Sequence, residues 1–249
     1  MYTSIAVAED GTVFVSYFDV DRGALKLAQR KVEGAWTLSD VELANAGGDQ
    51  GSQKNAAGMY TSLTLDHAGT PGIAYLVHLP DGDGIKAEVH YAQAHTTAPT
   101  SPAAWTVSVI DGTTLPPEDP ANPNIYPLPE GLGLFIDSSR NPTDDAPVVA
   151  YYDRSNGDLK VSKYNATAAK FEAALVLDGS TTDVGWSPSV QVGPDGKVLA
   201  AGNANGIHLW QVAENGELLP GPLVEDQYPN IFYLTFSPDS LKLAAPVDN

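Results

Sequence analysis

An internal repeat is the feature that most constrains this chain. The segment from Ser4 to Tyr17 aligns without a gap on the segment from Ser62 to Tyr75, and each carries two alternating apolar and polar runs around a glycine-bearing turn. Shorter or more degenerate copies of the first run begin near positions 134, 189 and 234. A repeat of this kind predicts several copies of one supersecondary unit, which bury their apolar faces on one another.

Each copy has the pattern of antiparallel hairpins. Apolar and polar residues alternate with a period of two, which is typical of half-buried strands, and helical periodicity is nearly absent. The second hairpin of each copy contains an X-Gly dipeptide at its predicted turn: Arg22-Gly23, Asp83-Gly84, Asn156-Gly157 and Asn205-Gly206. Asn-Gly and Asp-Gly suit a two-residue type I′ turn, whereas Arg22-Gly23 departs from this pattern. A fourth strand follows, opened by an aromatic residue in three copies (Trp36, Trp105 and Phe171).

The turn positions also predict a strand register. If the four dipeptides are the turn residues, a basic or imidazole side chain recurs at one rung of every hairpin. The predicted pairs are Asp19 with Lys26, Val77 with His90, Asp153 with Lys160 and Asn203 with His208. Opposite charges are therefore expected to meet across the strands in two of the copies.

Four antiparallel strands in each copy, with copies about 45–70 residues apart, are typical of β-propeller blades. We predict an all-β chain that forms one propeller domain, or a fragment of one, with four recognisable blades plus a half blade. The expected limits of the blades are about 1–58, 59–129, 130–185 and 186–227, with a partial blade over 228–249. A half blade leaves open strand edges. We therefore expect that the terminal strands complete a blade in an unusual way, that a partner supplies the missing strands or, as the favoured interpretation, that the chain is a fragment of a longer one.

The repeats also resemble a known group of proteins. The strings at 16–19 and 25–28, at 60–66 and at 150–162 are similar to the repeats of secreted bacterial β-propellers, which are distantly like the sialidase-type Asp-box propellers. This resemblance implies an extracellular, periplasmic or cell-surface location. It implies an architecture rather than an activity, because one fold supports many functions.

Composition excludes several classes of function. The chain has 31 acidic and 13 basic residues and a net charge of −18, so nucleic acids and acidic membranes are poor partners. The absence of cysteine excludes disulfides, Cys-based metal sites and thiol catalysis. No apolar run reaches the roughly 18 residues of a membrane span. The first residues lack the basic and apolar regions of a signal peptide, so either the protein is cytoplasmic or the native start lies elsewhere.

Carboxylates in the predicted hairpin turns are the candidate metal ligands. Asp19, Asp21, Asp81 and Asp83 resemble the opening of a calcium loop, in which hard oxygen ligands converge on one cation. The alternative is ordinary turn chemistry, in which aspartates accept hydrogen bonds from nearby backbone N–H groups. Of the five histidines (67, 78, 90, 95 and 208), His78 and His90 share one predicted hairpin with Glu88, which is a weaker metal candidate.

The sequence contains no recognisable catalytic motif or cofactor fingerprint. A sialidase-like enzyme needs converging arginines, whereas Arg22, Arg30, Arg140 and Arg154 are scattered over turns and strand ends. We therefore favour a non-catalytic binding or assembly module that recognises a protein or a glycan through inter-blade loops near 45–52 and 115–124. The alternatives are a carbohydrate-active enzyme that uses a central cavity and a subunit completed by strand exchange in a larger complex.

Overall fold

The computed structural model describes residues 2–43, 55–115, 131–177, 185–203, 207–212, 218–220, 235–237 and 243–244. The chain forms two compact units, Met1–Gly133 and Leu134–Asn249. Nearly all of the described secondary structure is β-strand. Within those ranges, the one helical segment is the short 3₁₀ turn Pro102–Ala104, and none is long and apolar enough to cross a membrane.

The first unit contains two four-stranded antiparallel sheets whose strands follow chain order. Sheet 1 comprises β1 (Thr3–Val7), β2 (Val13–Asp19), β3 (Ala24–Arg30) and β4 (Thr37–Leu43). Sheet 2 comprises β5 (Ala56–Leu65), β6 (Pro71–Asp81), β7 (Gly84–Ala94) and β8 (Trp105–Leu115). This up-and-down order follows from short turns, since antiparallel neighbours can be joined by a few residues.

The second unit repeats this plan. Sheet 3 comprises β9 (Leu132–Arg140), which begins just before the boundary of the units, β10 (Pro147–Asp153), β11 (Asp158–Asn165), β12 (Lys170–Phe171) and β13 (Leu175–Val176). Both β12 and β13 pair with β11, so the last strand of sheet 3 is interrupted. Sheet 4 comprises β14 (Trp186–Val192), β15 (Val198–Asn203), β16 (Ile207–Val212) and β17 (Leu218–Pro220). A two-stranded sheet of β18 (Thr235–Phe236) and β19 (Leu243–Ala244) follows.

The predicted register is wrong, although the predicted strands are present. Lys26 pairs with Tyr17, Lys160 with Tyr151, His90 with Tyr75 and His208 with Gly202. The reason lies in the turns: four residues, not two, separate Asp19 from Ala24 and Asp153 from Asp158, and in sheet 2 the turn residues are Gly82 and Asp83.

The two predicted ion pairs nevertheless form. Lys26 Nζ lies 3.6 Å from Asp19 Oδ2, and Lys160 Nζ lies 3.3 Å from Asp153 Oδ2. Each lysine and its aspartate are diagonal neighbours on one face of the sheet, because a slip of two residues preserves the face on which a side chain lies. The charges therefore meet even though the residues are not directly opposite.

Alternate residues of each strand build the hydrophobic cores. In the first unit, Phe14, Leu25, Leu27 and Val41 of sheet 1 cluster with Leu63, Ile73, Tyr75 and Val77 of sheet 2. In the second unit, Val148, Ala150, Leu159 and Val161 of sheet 3 cluster with Val190, Val192, Trp210 and Val212. Burial of apolar area in such clusters is the main stabilising contribution to folding. Within each unit the stacked sheets also bring together polar side chains that are distant in sequence.

Candidate functional site

A cluster of titratable side chains lies between sheets 1 and 2 of the first unit. His90 is held between two carboxylates, with Nδ1 3.1 Å from Glu42 Oε2 and Nε2 3.1 Å from Glu88 Oε2. The Tyr75 hydroxyl donates a hydrogen bond to Glu42 Oε2. Lys86 Nζ lies 2.6 Å from Glu88 Oε1. We call these five residues the carboxylate–histidine cluster.

Strand geometry explains how the cluster assembles. Lys86, Glu88 and His90 alternate along β7 and therefore share one face, and Tyr75 of β6 lies directly opposite His90. That face packs against sheet 1, where β4 supplies Glu42. Glu42 and His90 are 48 residues apart in the sequence, so stacking of the two sheets is required to bring them together.

Burial differs among the members of the cluster, and this difference decides which of its carboxylates solvent reaches. The side chains of His90 and Glu88 are 7% and 9% exposed, whereas that of Glu42 is 24% exposed. Tyr75 is fully buried. Among the groups that could exchange a proton with a bound molecule, Glu42 is therefore the most accessible carboxylate of the cluster.

The pKa values follow from this arrangement. Burial alone would lower the pKa of His90, but the hydrogen bonds and charges of Glu42 and Glu88 outweigh it and raise that pKa above its usual value. Burial would raise the pKa of Glu88, yet contacts with Lys86 and His90 lower it. Burial, reinforced by the Glu42 charge, raises the pKa of Tyr75 well above its usual value. The cluster is thus an imidazole held between two carboxylates that favour its protonated form, with the phenol of Tyr75 as an additional donor.

Sheet 1 carries a lysine at the rung that His90 occupies in sheet 2. Lys26 pairs with Tyr17, as His90 pairs with Tyr75. Lys26 Nζ lies 3.6 Å from both Asp19 Oδ2 and Asp40 Oδ1. Arg22 donates two hydrogen bonds to Asp40, of 2.9 and 3.1 Å. A cation between carboxylates is therefore a repeated element of the fold.

Sheet 3 repeats the element with Lys160, which pairs with Tyr151 and lies 3.3 Å from Asp153. In sheet 2, Val77 occupies the position of that aspartate, two residues after the tyrosine. Glu88 and Glu42 supply the missing negative charge from β7 and β4. Sheet 2 thus combines the same architecture with an imidazole, whose pKa the two carboxylates raise.

The four aspartates predicted as calcium ligands lie in two different hairpins of the first unit. Asp19 ends β2 and Asp21 follows it, whereas Asp81 ends β6 and Asp83 lies in the next turn. Asp81 Oδ2 accepts a hydrogen bond from Thr114, at 3.2 Å. The part of the chain that the structure describes holds no group of three or more His, Cys, Asp or Glu side chains arranged for a metal ion. Calcium binding at these aspartates stays a prediction.

The predicted histidine site is not assembled among the described side chains. His78 lies opposite Ala87 and His90 opposite Tyr75, so the two imidazoles lie on opposite faces of sheet 2. His67 lies in an exposed turn, His95 Nε2 contacts Thr106 Oγ1 at 2.7 Å, and the side chain of His208 lies outside the described residues. His90 instead binds carboxylates, a use that the sequence analysis did not identify.

Other candidate residues have local partners. Arg22 pairs with Asp40, Arg30 lies 5.4 Å from the ring centroid of Trp36, and Arg140 donates a hydrogen bond to the Asp145 carbonyl oxygen. The loops predicted for recognition, 45–52 and 115–124, lie outside the described residues except for Leu115 at the end of β8. Glu42 was not identified from the sequence. The Lys86-x-Glu88-x-His90 alternation predicts a charged face on β7 but says nothing about β4.

Comparisons with known proteins identify the fold. No protein-family model matches the chain, and no curated protein matches its sequence. An α-L-arabinofuranosidase from Lactobacillus brevis is 12% identical, with a TM-score of 0.52, over 94% of this chain and 78% of that one. A GH93 α-L-arabinofuranosidase of Fusarium graminearum, solved with arabinobiose, is 10% identical, with a TM-score of 0.53, over 98% of this chain and 65% of that one.

A structure of a protein from Lactobacillus plantarum is similarly related, at 12% identity and a TM-score of 0.51 over 98% of this chain and 63% of that one. This chain therefore spans less than two thirds of two of these three structures. At these identities the likeness shows the fold alone. The chain is an all-β propeller of four-stranded antiparallel blades, as the repeats predicted, and sheets 1 to 4 are blades of that fold.

Proposed function

We propose that this protein is a carbohydrate-active propeller that binds a glycan and hydrolyses a glycosidic bond, with the carboxylate–histidine cluster as its proton-transfer site. The observation that carries the proposal is the His90 imidazole, which lies 3.1 Å from each of two carboxylates. The fold supports it, because the structures it resembles include two described as α-L-arabinofuranosidases. The non-catalytic module favoured by the sequence analysis has weaker support from these comparisons.

Glycoside hydrolysis requires a general acid, and the cluster offers a candidate for it. Such enzymes use carboxyl groups about 5–10 Å apart, one of which protonates the leaving oxygen. Glu42 is the more exposed carboxylate, so we assign it the role of general acid. His90 would pass a proton from Nδ1 to Glu42, and Glu42 would pass one to the glycosidic oxygen as that bond breaks. Water would supply hydroxide to the anomeric carbon and return its proton to the cluster.

Glu88 and Tyr75 are positioning residues in this scheme. Glu88 accepts a hydrogen bond from His90 Nε2 and stabilises the charged imidazole. Tyr75 donates to the same Glu42 oxygen that His90 faces, which fixes the carboxylate. Preorganised donors of this kind lower the cost of reorganisation during proton transfer.

The location of Glu42 also supports the proposal. Glu42 is the next-to-last residue of β4, which ends at Leu43, and the connection that follows contains the 45–52 segment predicted for recognition. In scaffolds of this kind, binding residues concentrate where strands enter long connections. A glycan held at this end of sheets 1 and 2 would lie close to the exposed carboxylate.

One observation favours a second candidate, a glycan-binding module without hydrolysis. The imidazole of His90 occupies the space between the two carboxylates, and both already have partners: Glu42 binds Tyr75, and Glu88 binds Lys86. Water and substrate would have to displace these contacts for both carboxylates to act on a sugar. A purely binding role requires no such displacement.

Hydrolysis assays separate the two candidates. The protein is incubated with arabinobiose, soluble arabinan and a panel of p-nitrophenyl glycosides, and released sugar is measured by chromatography and absorbance. Glu42→Gln is expected to lose about 100-fold or more of the rate while retaining binding. Asp195→Asn is the matched control, because it also removes one carboxylate, an exposed one paired with Lys197 at 2.9 Å. Binding by calorimetry without hydrolysis would support the second candidate, and neither binding nor hydrolysis would reject both.

A further inference from the structure

The first strands of the sheets share a backbone distortion that the cluster does not use. Glycines with φ of +107°, +93° and +113° occur at Gly58, Gly133 and Gly185. Two residues after each glycine, a residue with a side chain also adopts a left-handed conformation: Tyr60 (φ 51°), Phe135 (φ 53°) and Ser187 (φ 50°). Tyr2, which precedes β1, has φ 52°. L-residues rarely adopt this conformation, and bulky ones least of all.

Close packing explains the glycine of this motif. A Cβ atom on Gly185 would lie 2.8 Å from Tyr152 Cδ2 and 3.0 Å from the Leu159 nitrogen, so a side chain has no room there. The pairing of β14 with β15 shifts register between Trp186 and Ser189, next to this contact. Bulges of this kind redirect side chains at the point where a strand begins.

In the second unit three aromatic rings lie close together beside this distortion of the backbone. The Trp186 ring centroid lies 5.3 Å from that of Phe135 and 5.5 Å from that of Tyr152. Tyr152 is buried and supports Trp186, whereas Phe135 and Trp186 are half-buried. We call Phe135 and Trp186 the aromatic platform. Both residues are held by neighbouring rings, tilted by 39° between Phe135 and Trp186, and both remain partly exposed to solvent.

Aromatic residues also meet at the corresponding point in the first unit. The ring centroids of Tyr2 and Tyr60 are 4.3 Å apart, and both residues have a left-handed backbone. Tyr60 is buried, so this pair contributes mainly to packing. The aromatic platform differs from it because both of its residues are partly exposed. Accessibility, together with a strained backbone, is the combination expected at a binding site rather than in a core.

We propose that Phe135 and Trp186 form a stacking surface for the ring of a neutral sugar. The C–H face of a furanose or pyranose ring is apolar and packs on aromatic rings, while its hydroxyl groups remain available for hydrogen bonds. The net charge of −18 disfavours uronic acids and sulfated sugars, which leaves neutral glycans as the ligand class. This inference rests on the proposed function for the identity of the ligand, but it concerns binding and requires no cleavage.

The test measures sugar binding by calorimetry and by tryptophan fluorescence. The full chain is titrated with arabinobiose, xylobiose and a galacturonic acid disaccharide. The wild type is expected to bind at least one neutral disaccharide and not the acidic one. Trp186→Ala is expected to weaken binding about tenfold, and Trp186→Phe to retain most of it. Trp36→Ala is the matched control, since Trp36 is 47% exposed and packs beside Arg30 in the first unit.

The outcomes distinguish this inference from the proposed function. Equal affinity of the wild type and a folded Trp186→Ala variant would overturn the platform, whatever the hydrolysis assays show. If Trp186→Ala fails to fold, Phe135→Leu takes its place, with the same expected weakening and the same overturning result. Binding that depends on Trp186 without any hydrolysis would support the platform and reject the catalytic proposal. A wild type that binds none of the three sugars would reject both.

Discussion

His90 lies directly opposite Tyr75, and its ring meets the tyrosine ring edge-on at a centroid distance of 5.7 Å. In sheets 1 and 3 the same rung pairs Tyr17 with Lys26 and Tyr151 with Lys160. The repeat therefore places a basic side chain at this rung, and in sheet 2 it is a histidine, the side chain whose unperturbed pKa lies within the physiological range. We therefore expect the stability of the first unit to depend on pH through this buried side chain.

The first prediction concerns stability above neutral pH. Because the pKa of His90 is raised in the folded state, its contribution to stability is complete below the unfolded-state pKa of about 6.5 and is lost as pH rises through the folded-state pKa. The free energy of unfolding is measured in urea between pH 5 and 9, and the His90 contribution to it is expected to fall only as the pH rises above about 6.5. His90→Gln is expected to flatten the profile, whereas the exposed His95→Gln leaves it unchanged. A wild-type profile that stays flat would contradict the prediction.

The second prediction exchanges the imidazole for the lysine of the other sheets. His90→Lys keeps a positive charge between Glu42 and Glu88, so the variant is expected to fold and to lose the decline in stability between pH 6.5 and 9. The measurement is the same urea titration, with His90→Gln as the uncharged comparison. If His90→Lys destabilises the protein as much as His90→Gln at pH 6, the interpretation that His90 and the lysines of sheets 1 and 3 play equivalent roles would be wrong.

The third prediction concerns the acid side. The pKa of Glu88 is lowered in the folded state, so its stabilising contribution is present above the unfolded-state value, near 4.5, and is lost as pH falls through the folded-state value. Glu88→Gln is expected to be less acid-sensitive than the wild type between pH 5 and 3. Circular dichroism during acid titration measures the midpoint. An unchanged midpoint would show that other carboxylates dominate acid unfolding.

The fourth prediction compares two lysines of the second unit. Lys160 pairs with Asp153, whose side chain is only 4% exposed, so Lys160→Met leaves a buried carboxylate without its cation and is expected to cost about 3 kcal/mol. Lys197 pairs with Asp195, which is 57% exposed, and Lys197→Met is expected to cost less than about 1 kcal/mol. Urea unfolding of both variants provides the comparison. Equal costs would mean that the 2.9 Å hydrogen bond from Asn156 is sufficient to stabilise the buried Asp153 carboxylate when Lys160 is removed.

The fifth prediction tests the crowded glycine. Gly185→Ala places a Cβ 2.8 Å from Tyr152 at φ +113°, whereas Gly82→Ala, at φ +58°, meets nothing within 4 Å. Gly82→Ala is expected to cost about 1–2 kcal/mol from backbone strain alone, and Gly185→Ala distinctly more. Thermal unfolding of the two variants decides the order. The reverse order would show that the contact at Gly185 relaxes freely.

Much of the candidate site could have been predicted from local sequence, and one essential part could not. Lys86, Glu88 and His90 alternate along a predicted strand, so a shared charged face is a local property. Glu42 belongs to a different sheet, and nothing in its own neighbourhood indicates a histidine partner. The strand register could not be predicted either, because it depends on the length of the turns. The X-Gly dipeptides predicted two-residue turns, whereas two of the hairpins have turns of four residues.

The sequence by itself determined the repeat, the all-β architecture and the strand faces, because the period-two alternation and the glycine-bearing turns act over a few neighbouring residues. The two lysine–aspartate pairs within single sheets were also predicted from the repeats, but only the tertiary structure decided which side chains meet between sheets. Glu42 reaches His90, and Trp186 reaches Phe135, when one sheet stacks on the next. Stacking is driven by the burial of apolar area, which is non-directional. Burial therefore determines that the apolar faces meet, whereas the geometry of packing determines which polar side chains become partners.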